Sequence, residues 1–544
     1  MVATSRPTLK LMWAYPGVTF KGKGIAQAWG EEMVLKGWET TTKVEEADCV
    51  IFSSDSTLKG ELIGKAPTIL FFWGWMPARL LDPHFQKWAA SQLKLMAQCT
   101  RILVPGLVVA DQLADFGLSC ELCLPGVDAR TLDRYMDLDT KRSTSQIMFI
   151  SRLEPHKGLD LLLEAAALLE PKPPLLVCGP GDKQLYVEKA TAWGLEVRFE
   201  ELSDEQKVKE IRKSLVLVHP STYEGMGLPP LEALYCGTPV AVMDIPQMRW
   251  SLQEDAYYFS NVEGLARTIA HISSNPDEAY SRANRARKRI ADSLTLEKAC
   301  DRLWAHIHQT IKEHLAMELR EHPERWKEIY DKEHRRNWAY GGEVSPPWAA
   351  GPARFNPTWE RHWRAQEFIS ALKECKAERI LDVGCGAVYP TIFARAGFEV
   401  TALDISKEAL RQVREIGEKW EVGDRIHERL GDAMSLPFLD SYFDAVVQGE
   451  ILEHVPDPGK VVSEGMRVLK PGGHLVISTP IGGHHHDPMH LHHWNDNDIA
   501  ELIKPWENNI VRMDKIAEDA SEPSCYLVVL KKISTTSHPS EREE

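Results

Sequence analysis

A glycine loop between two glutamates is the strongest chemical signal in the first half of the chain. Glu224 and Glu232 enclose Gly225, Met226 and Gly227, and the segment follows an apolar run and leads into a predicted helix. Glycines let backbone amides approach an anion, and a helix N-terminus adds a favourable dipole. Carboxylates accept charge-assisted hydrogen bonds from sugar and ribose hydroxyls. The segment therefore predicts a site for an anionic ligand that carries hydroxyl groups.

Two cations follow an apolar run further upstream. Arg152 and Lys157 come after the strand predicted at Gln146–Ile150. A guanidinium and an ammonium can neutralise a diphosphate as it leaves, which stabilises the transition state of group transfer. Asp137 and Asp139 mimic a metal-binding pair of carboxylates, but they lie in a polar connector rather than after a strand. We therefore treat that pair as chance.

The last third of the chain carries a second set of residues. Asp382, Gly384 and Gly386 form an acidic glycine turn after an apolar strand, and 18 residues after Gly386 the next strand ends in Asp404. An acid at that strand end can accept both hydroxyls of an adenosine ribose. Later strand ends carry further candidate residues: Asp432, Ala433, Glu450 and His454.

A histidine-rich loop follows these residues. Residues 484–493 contain six of the 20 histidines of the chain, including His490. Imidazoles and a carboxylate at this density could bind zinc, nickel or iron. They could equally form a loop over an acceptor site, supply a base, or have no role. We predict an acceptor-side loop and assign no metal ligand.

Repeated βα units would bring these residues together. Short apolar runs alternate with amphipathic stretches, as around a parallel sheet. The fold class predicted is α/β, with three Rossmann-like domains. Strands are expected at Leu9–Ala14, Cys49–Ser53, Thr68–Phe72, Arg101–Val104, Gln146–Ile150, Leu175–Cys178, Val197–Phe199, Leu215–Val218, Pro239–Val242, Arg379–Val383, Glu399–Asp404, Ala445–Gln448, His474–Thr479 and Tyr526–Lys531. The predicted domains are residues 1–130, 131–315 and 356–533, with a helical and Pro/Gly-rich linker at 316–355 and a disordered tail at 534–544.

Composition excludes several classes of protein. The 544 residues carry a formal net charge of −15, which argues against a nucleic-acid partner. No apolar stretch approaches the ~18 residues that a membrane span needs, and the N-terminus lacks the pattern of a signal peptide. The ten scattered cysteines indicate reduced thiols. We therefore expect a cytoplasmic protein.

The first two sheets resemble the retaining glycosyltransferases of the GT-B fold, family four. The resemblance covers residues 146–310 and rests on the R-x4-K element, the E-x7-E element and several flanking segments. These segments are Pro125–Asp128, Gly179–Asp182, Val197–Phe199 and Leu294–Glu297, the last of which would return to brace the first domain.

The resemblance implies roles for individual residues in this half. Glu224 would touch the donor sugar and Glu232 the nucleotide ribose. Gly24 would lie in the loop that faces the donor phosphates, and Gly181 would line the same site. The donor would be a UDP- or GDP-sugar. Transfer would retain the anomeric configuration by front-face attack, and no metal is expected.

One departure from the family leaves the acceptor open. Phe72-Trp73-Gly74-Trp75 stands where relatives often carry a histidine. Trp73 and Trp75 could stack on a sugar or fill the core, and we favour the core.

The third sheet resembles the class I S-adenosylmethionine-dependent methyltransferases, over roughly residues 355–533. The resemblance implies that Gly384 and Gly386 let the methionine part approach the backbone, and that Asp404 holds the ribose. Asp432 would bind the adenine amine beside Ala433. A nicotinamide enzyme is the nearest competitor, and the order of motifs argues against it.

The resemblance also bears on proton removal in this half. Methyl transfer to a hydroxyl needs a base, for which His454 and His490 are candidates, with Glu450 as an orienting group. The family's third glycine is here Val388, which indicates either a wider loop or a loss of cofactor binding.

Together these features predict a bifunctional enzyme that transfers a sugar and then O-methylates the same glycan. A glycan, a lipid-linked glycan or a small molecule is the expected acceptor. A protein or nucleic-acid acceptor, or one half that is only a binding module, is the alternative. The basic run at residues 282–289 is a solvated helix face or a peripheral contact with anionic lipid at the inner face of the membrane. The oligomeric state is open.

Overall fold

The computed structural model describes the chain over the following residues: 10–14, 39–40, 43–44, 47–52, 60–63, 65–72, 82–136, 145–322, 325–339, 363–482, 487, 489–517 and 523–533. These residues fall into two compact units, which divide between Thr310 and Ile311. The first unit holds two six-stranded sheets and the second holds one seven-stranded sheet.

The first sheet is parallel throughout. Its strands are β1 (Lys10–Ala14), β2 (Glu39–Thr40), β3 (Cys49–Phe52), β4 (Thr68–Phe71), β5 (Arg101–Val104) and β6 (Glu121–Leu122), in the order β2-β1-β3-β4-β5-β6. Every side chain of β3, β4 and β5 is buried. This burial explains their continuous apolar runs, because a parallel strand is covered on both faces. The helices of this sheet are α1 (Pro83–Met96) and α2 (Leu107–Asp115).

The second sheet repeats the arrangement. Its strands are β7 (Ile147–Ile150), β8 (Leu175–Cys178), β9 (Val197–Glu200), β10 (Val216–His219), β11 (Val240–Met243) and β12 (Tyr257–Phe259), all parallel, in the order β12-β11-β10-β7-β8-β9. Its helices are α3 (Ala129–Arg134), α4 (Leu159–Ala167), α5 (Gln184–Ala192), α6 (Asp204–Lys213), α7 (Leu228–Tyr235), α8 (Pro246–Leu252), α9 (Val262–Ser274) and α10 (Pro276–Ser293). The strand order reverses between β7 and β10, where a parallel sheet opens a crevice for ligands.

A long helix, α11 (Leu296–Glu321), follows the second sheet. At its start the amide of Leu296 donates to the carbonyl of Val127 at 2.7 Å. Further along, the Arg302 guanidinium donates to the carbonyl of Leu124 at 2.8 Å. The bracing return predicted for this segment is therefore confirmed.

The third sheet belongs to the second unit. Its strands are β13 (Arg379–Val383), β14 (Glu399–Asp404), β15 (Ile426–Leu430), β16 (Phe443–Gly449), β17 (Leu469–Pro480), β18 (Ile510–Ile516) and β19 (Cys525–Lys531). The order is β15-β14-β13-β16-β17-β19-β18, and β19 runs antiparallel to both neighbours. The helices are α12 (Trp326–Ala339), α13 (Trp363–Glu374), α14 (Tyr389–Arg395), α15 (Lys407–Lys419), α16 (Pro458–Val468) and α17 (Asp496–Ile503).

The predicted fold class, α/β with three Rossmann-like sheets, is confirmed. The boundaries of the predicted domains stay a prediction, but the structure adds that helix α12, predicted as linker, contacts the loops of the third sheet. Several predictions fall outside the described residues: Gly24, Trp73, Trp75, the pair Asp137 and Asp139, residues 340–357, and the tail.

Candidate active sites

The first candidate site lies at the carboxyl edge of the second sheet, where three loops meet. The amide of Leu153, after β7, donates to the carbonyl of Pro180, after β8, at 2.8 Å. The amide of Thr222, after β10, donates to the carbonyl of His156 at 2.9 Å. The carboxyl ends of parallel strands share one edge, so these contacts bring the predicted residues of all three loops together.

Glu224 is the most strongly bound side chain of this site. Its Oε1 accepts from Lys157 Nζ at 2.6 Å and lies 2.8 Å from His219 Nε2. Burial raises the pKa of the Glu224 carboxyl, but the nearby His219 and Lys157 outweigh burial and hold that pKa well below its usual range. The carboxylate is therefore charged at neutral pH, and no described residue hydrogen-bonds its Oε2.

The glycines of this edge occupy positions that other residues would not tolerate. Gly227 adopts φ +77°, and a Cβ there would lie 2.5 Å from Met248 Cε. Gly181 adopts φ +137°, and its Cβ would lie 2.7 Å from that of Leu153. Met226 is buried in the core, so only its backbone can serve a ligand. Helix α7 therefore begins directly after a Gly225–Gly227 turn in which Gly225 is half-buried and Gly227 is buried.

The other predicted residues of this site occupy separate positions. Glu232 lies within α7 and pairs with Lys207 Nζ at 2.7 Å. Arg152 pairs with Glu154 at 2.8 Å and leaves 55% of its side chain exposed, so it can turn towards a ligand. Sequence reasoning missed His219, because it ends a buried strand and no motif marks it.

The basic run on α10 forms ion pairs within its own unit. Arg282 pairs with Glu278, Arg287 with Asp133 and Arg289 with Asp255, at 3.2, 3.4 and 2.7 Å. These partners account for three of its five cations.

The second candidate site lies at the carboxyl edge of the third sheet. Asp404 ends β14, and its carboxylate accepts from the amides of Gly386 at 3.1 Å and Ser406 at 2.9 Å. Gly386 adopts φ +54° with open space where a Cβ would stand. Gly384 adopts φ +66°, and a Cβ there would meet Ile451. The turn therefore leaves room for a ligand beside a fixed carboxylate.

Asp382 is buried at the end of β13, and its Oδ2 has no hydrogen-bond partner among the described residues. Burial, and then the charge of Asp404, raise the pKa of this carboxyl to about 8. A buried polar atom without a partner is costly, so this oxygen fits a ligand that brings a cation or a hydrogen-bond donor. Val388, where the family has its third glycine, is packed in the core as the N-cap of α14. The valine in place of the family's third glycine therefore adds a side chain to the core beneath the glycine turn.

The remaining cofactor residues predicted by sequence lie on the same edge. Asp432 accepts from the amide of Met434 at 2.8 Å, and Ala433 beside it is buried. Glu450 follows β16 with φ +54°, accepts from Ser478 Oγ at 3.1 Å and pairs with Arg364 at 3.3 Å.

His454 and His490, which the sequence analysis named as candidate bases, lie side by side in the structure. Their ring centroids lie 4.8 Å apart, and both rings are largely buried. His454 Nδ1 lies 3.3 Å from the carbonyl of Met489, which fixes Nδ1 as the protonated nitrogen and leaves the lone pair on Nε2. Burial, and for His490 also the neighbouring His454, lowers both pKa values, that of His490 to about 4. Both imidazoles are therefore neutral at pH 7.

Glu453 completes this cluster, and sequence reasoning gave it no role. Ligand atoms of Glu453, His454 and His490 all lie within 4.8 Å of one another, the one such group of three among the described residues. Burial, and then the charge of Glu450, raise the pKa of Glu453 well above its usual range, and Thr479 donates to it at 2.9 Å. The histidines at 484–486 lie outside the described residues.

Two family matches coincide with the two sites. Residues 137–289 match the family of glycosyl transferases group 1, and residues 381–477 match the methyltransferase domain family. The first match contains Arg152, Lys157, Glu224 and Glu232, and the second contains Asp382, Asp404 and His454.

Individual proteins resemble the two parts separately. The ubiquinone biosynthesis O-methyltransferase of Xanthomonas oryzae pv. oryzae is 30% identical over 208 residues, which cover 32% of this chain and 82% of that protein. The 27-O-demethylrifamycin SV methyltransferase of Amycolatopsis mediterranei is 37% identical over 102 residues, 18% of this chain and 38% of the relative. The structure of sucrose-phosphate synthase from Thermosynechococcus elongatus superposes with a TM-score of 0.47 at 15% identity and covers 55% of this chain and 98% of that one.

Among the described residues, every helix falls short, in length or in apolar character, of what a membrane-spanning segment requires.

We predict that Lys157→Met lowers the free energy of unfolding of the first unit by about 3 kcal/mol at pH 7, because it leaves a buried carboxylate with one partner fewer. Adding Glu224→Gln should recover part of the loss, since the amide carries no charge. Denaturant unfolding of the four proteins of this double-mutant cycle measures the coupling.

The loss of unfolding free energy in Lys157→Met also has a predicted pH dependence. The pKa of Glu224 is lower in the folded chain than in the unfolded chain, so the stabilisation is present above the ordinary carboxyl pKa and is lost as the pH falls towards the folded value. The difference between wild type and Lys157→Met should therefore narrow in acid. If the losses of unfolding free energy from Lys157→Met and Glu224→Gln simply add in the double variant at pH 7, the pairing of Lys157 with Glu224 is contradicted.

Proposed function

Since the chain joins a group 1 glycosyltransferase domain to a second unit that belongs to the methyltransferase family, we propose that it is a bifunctional enzyme that transfers a sugar from a UDP- or GDP-sugar and a methyl group from S-adenosylmethionine. The observation behind this proposal is that two sheets each gather charged residues at the carboxyl edge. The edge of the second sheet offers Arg152, Lys157 and an ionised Glu224. That of the third sheet offers Asp382, Asp404 and two neutral histidines.

In the glycosyl transfer, Arg152 and the backbone amides of the turn from Gly225 to Leu228, which leads into α7, stabilise the departing diphosphate. Lys157 and His219 both contact Oε1 of Glu224. The other oxygen, Oε2, can therefore accept a hydrogen bond from a hydroxyl of the donor sugar. The acceptor hydroxyl attacks from the face that the diphosphate leaves, and a diphosphate oxygen takes its proton. This course retains the anomeric configuration and needs no protein nucleophile. We propose it without a metal ion, because Arg152 and the backbone amides before α7 meet the diphosphate charge.

In the methyl transfer, the residues present suit the proposed cofactor. Asp382 offers a buried carboxyl oxygen without a partner to an ammonium group, and the open space at Gly386 admits a ligand to the backbone. Asp404 and Asp432 offer carboxylates to ribose hydroxyls and an adenine amine. When bound, S-adenosylmethionine supplies a methyl group on a positively charged sulfur. His454 Nε2 takes the proton of the acceptor hydroxyl, because its lone pair is free of the Nδ1 contact.

We propose that the acceptor of both transfers is one glycan, either free, lipid-linked or part of a small molecule. The methyltransferase relatives named above are O-methyltransferases, which supports a hydroxyl group as methyl acceptor. Two donor sites on one chain raise the local concentration of each product near the other site. That advantage exists only if both sites handle the same molecule.

The leaving-group role gives a prediction for Arg152. Arg152→Ala should reduce glycosyl transfer from a UDP- or GDP-sugar to a p-nitrophenyl hexoside by ~10²-fold, because it removes charge stabilisation of the diphosphate. The ion pair of Arg152 is exposed, so folding should be unaffected. Arg267→Ala, which removes an exposed arginine of α9, is the matched control and should remain fully active. If Arg152→Ala and Arg267→Ala transfer the sugar at equal rates, Arg152 does not stabilise the leaving diphosphate.

The raised pKa of Asp382 gives a prediction for cofactor binding. At pH 7 this carboxyl is mostly protonated, and an ammonium beside it favours the ionised form. Binding of S-adenosylmethionine should therefore release about one proton per site. Calorimetric titrations in buffers of different ionisation enthalpy measure this number. Asp382→Asn should bind more weakly and release none, whereas an unchanged proton count in that variant would locate the titrating group elsewhere.

The order of the two reactions can be tested with one acceptor. Wild type, Arg152→Ala and Asp404→Ala are each given a p-nitrophenyl hexoside with both donors, and the products are weighed by mass spectrometry. If methylation needs the transferred sugar, Asp404→Ala makes glycosylated product without methyl, and Arg152→Ala makes no methylated product. If Arg152→Ala methylates the bare hexoside at the wild-type rate, methylation either precedes glycosyl transfer or is independent of it.

A further inference from the structure

A tyrosine far upstream of the third sheet lies against the proposed methyl-transfer base. The Tyr330 hydroxyl, on α12, donates to the carbonyl of His454 at 3.0 Å and lies 3.5 Å from the carbonyl of Met489. Its ring meets the His454 imidazole edge-on, with centroids 5.7 Å apart. Burial raises the pKa of the Tyr330 phenol well above its usual value, so the hydroxyl keeps its proton and remains a donor.

These two carbonyls belong to the two loops that carry the histidine pair. His454 lies in the loop after β16, whereas Met489 precedes His490 in the loop after β17. The loops also contact each other directly, because the amide of Leu491 donates to the carbonyl of Glu453 at 2.7 Å. The Tyr330 hydroxyl therefore lies where it can hold both loops, and with them the distance between the two imidazoles.

Neighbouring residues of the same segment contact two more loops of this edge and add a contact to the loop after β17. Asp331 accepts from Ser406 Oγ at 2.9 Å and from the amide of Glu408 at 3.2 Å, after β14. Lys327 lies 3.7 Å from Asp432, after β15. Lys312, on α11, donates to Asp487 at 2.5 Å, after β17. Residues 312–331 thus contact the loops after four strands, although they precede the residues 381–477 that match the methyltransferase family.

We propose that Tyr330 is a positioning residue of the methyltransferase centre, which acts on the reaction through His454 and its distance from His490. The inference rests on the proposed function, since His454 must be the base that Tyr330 positions. A base works only within hydrogen-bond reach of the proton that it removes, and a displacement of about 1 Å can cost ~10²-fold in rate. Removal of the hydroxyl leaves the ring in place and frees the two carbonyls to move.

The test is Tyr330→Phe in the full chain, with Tyr442→Phe as the matched control. Tyr442 is an exposed tyrosine of the same unit, outside the proposed site, and it also loses only a hydroxyl. Transfer from tritiated S-adenosylmethionine to the p-nitrophenyl hexoside that wild type methylates fastest gives kcat and KM. We expect Tyr330→Phe to lower kcat ~10-fold or more, by displacement of the base. The KM for S-adenosylmethionine and the rate of glycosyl transfer should stay within about twofold of wild type, as should all rates of Tyr442→Phe.

A cycle with His454→Ala separates positioning from general damage. If Tyr330 acts through His454, the double variant should be no slower than His454→Ala alone. A further loss in the double variant, or a normal kcat in Tyr330→Phe when His454→Ala is slow, overturns the role of Tyr330 and leaves the proposed function standing. A normal kcat in His454→Ala shows that His454 is not the base, and it overturns the proposed role of Tyr330 as well.

Discussion

The parallel arrangement of the strands is the constraint on which both candidate sites depend. Strands joined by crossover helices point the same way, so the loops after them meet at one edge. In the second sheet this edge joins Lys157, after β7, to Glu224, after β10, although 67 residues separate them. In the third sheet it joins Asp404, after β14, to Gly386, after β13. The polar residues of each site are distant in sequence and are brought together by strand direction alone.

Burial at these edges gives carboxyl groups opposite charge states, depending on the cations within reach. Glu224 is buried beside Lys157 and His219, and it stays ionised. Asp382 is buried beside another carboxylate, Asp404, and its pKa rises to about 8. The ionised Glu224 can accept a hydrogen bond from a hydroxyl group, whereas Asp382 ionises more readily when a positive charge lies beside it. Under the proposed function, a buried carboxyl group thus suits a neutral sugar in one site and a cationic ligand in the other.

The sequence predicts the interior of the sheets well and their edges poorly. Interior strands such as Leu175–Cys178 are continuous apolar runs, and the sequence predicts their bounds to the residue. The edge strands Ile426–Leu430 and Ile510–Ile516 expose most of their side chains, so no apolar run marks them, and both were missed. Motif residues were found because glycine turns constrain their spacing. The sequence analysis gives His219 and Glu453 no role, because a buried strand end and a loop turn have no such spacing requirement.

The position of Tyr330 shows why domain limits drawn from motifs can miss part of an active centre. A motif search finds strand-and-turn segments, so the family match begins at residue 381, and even the domain predicted from the sequence begins only at residue 356. The contact of Tyr330 with His454 spans 124 residues and uses a backbone carbonyl, which any residue type provides. No pattern in the sequence can therefore mark this pairing from the side of His454. Under the proposed function, residues 312–331 lie before the methyltransferase match and contact its loops, so an isolated methyltransferase would have to keep them.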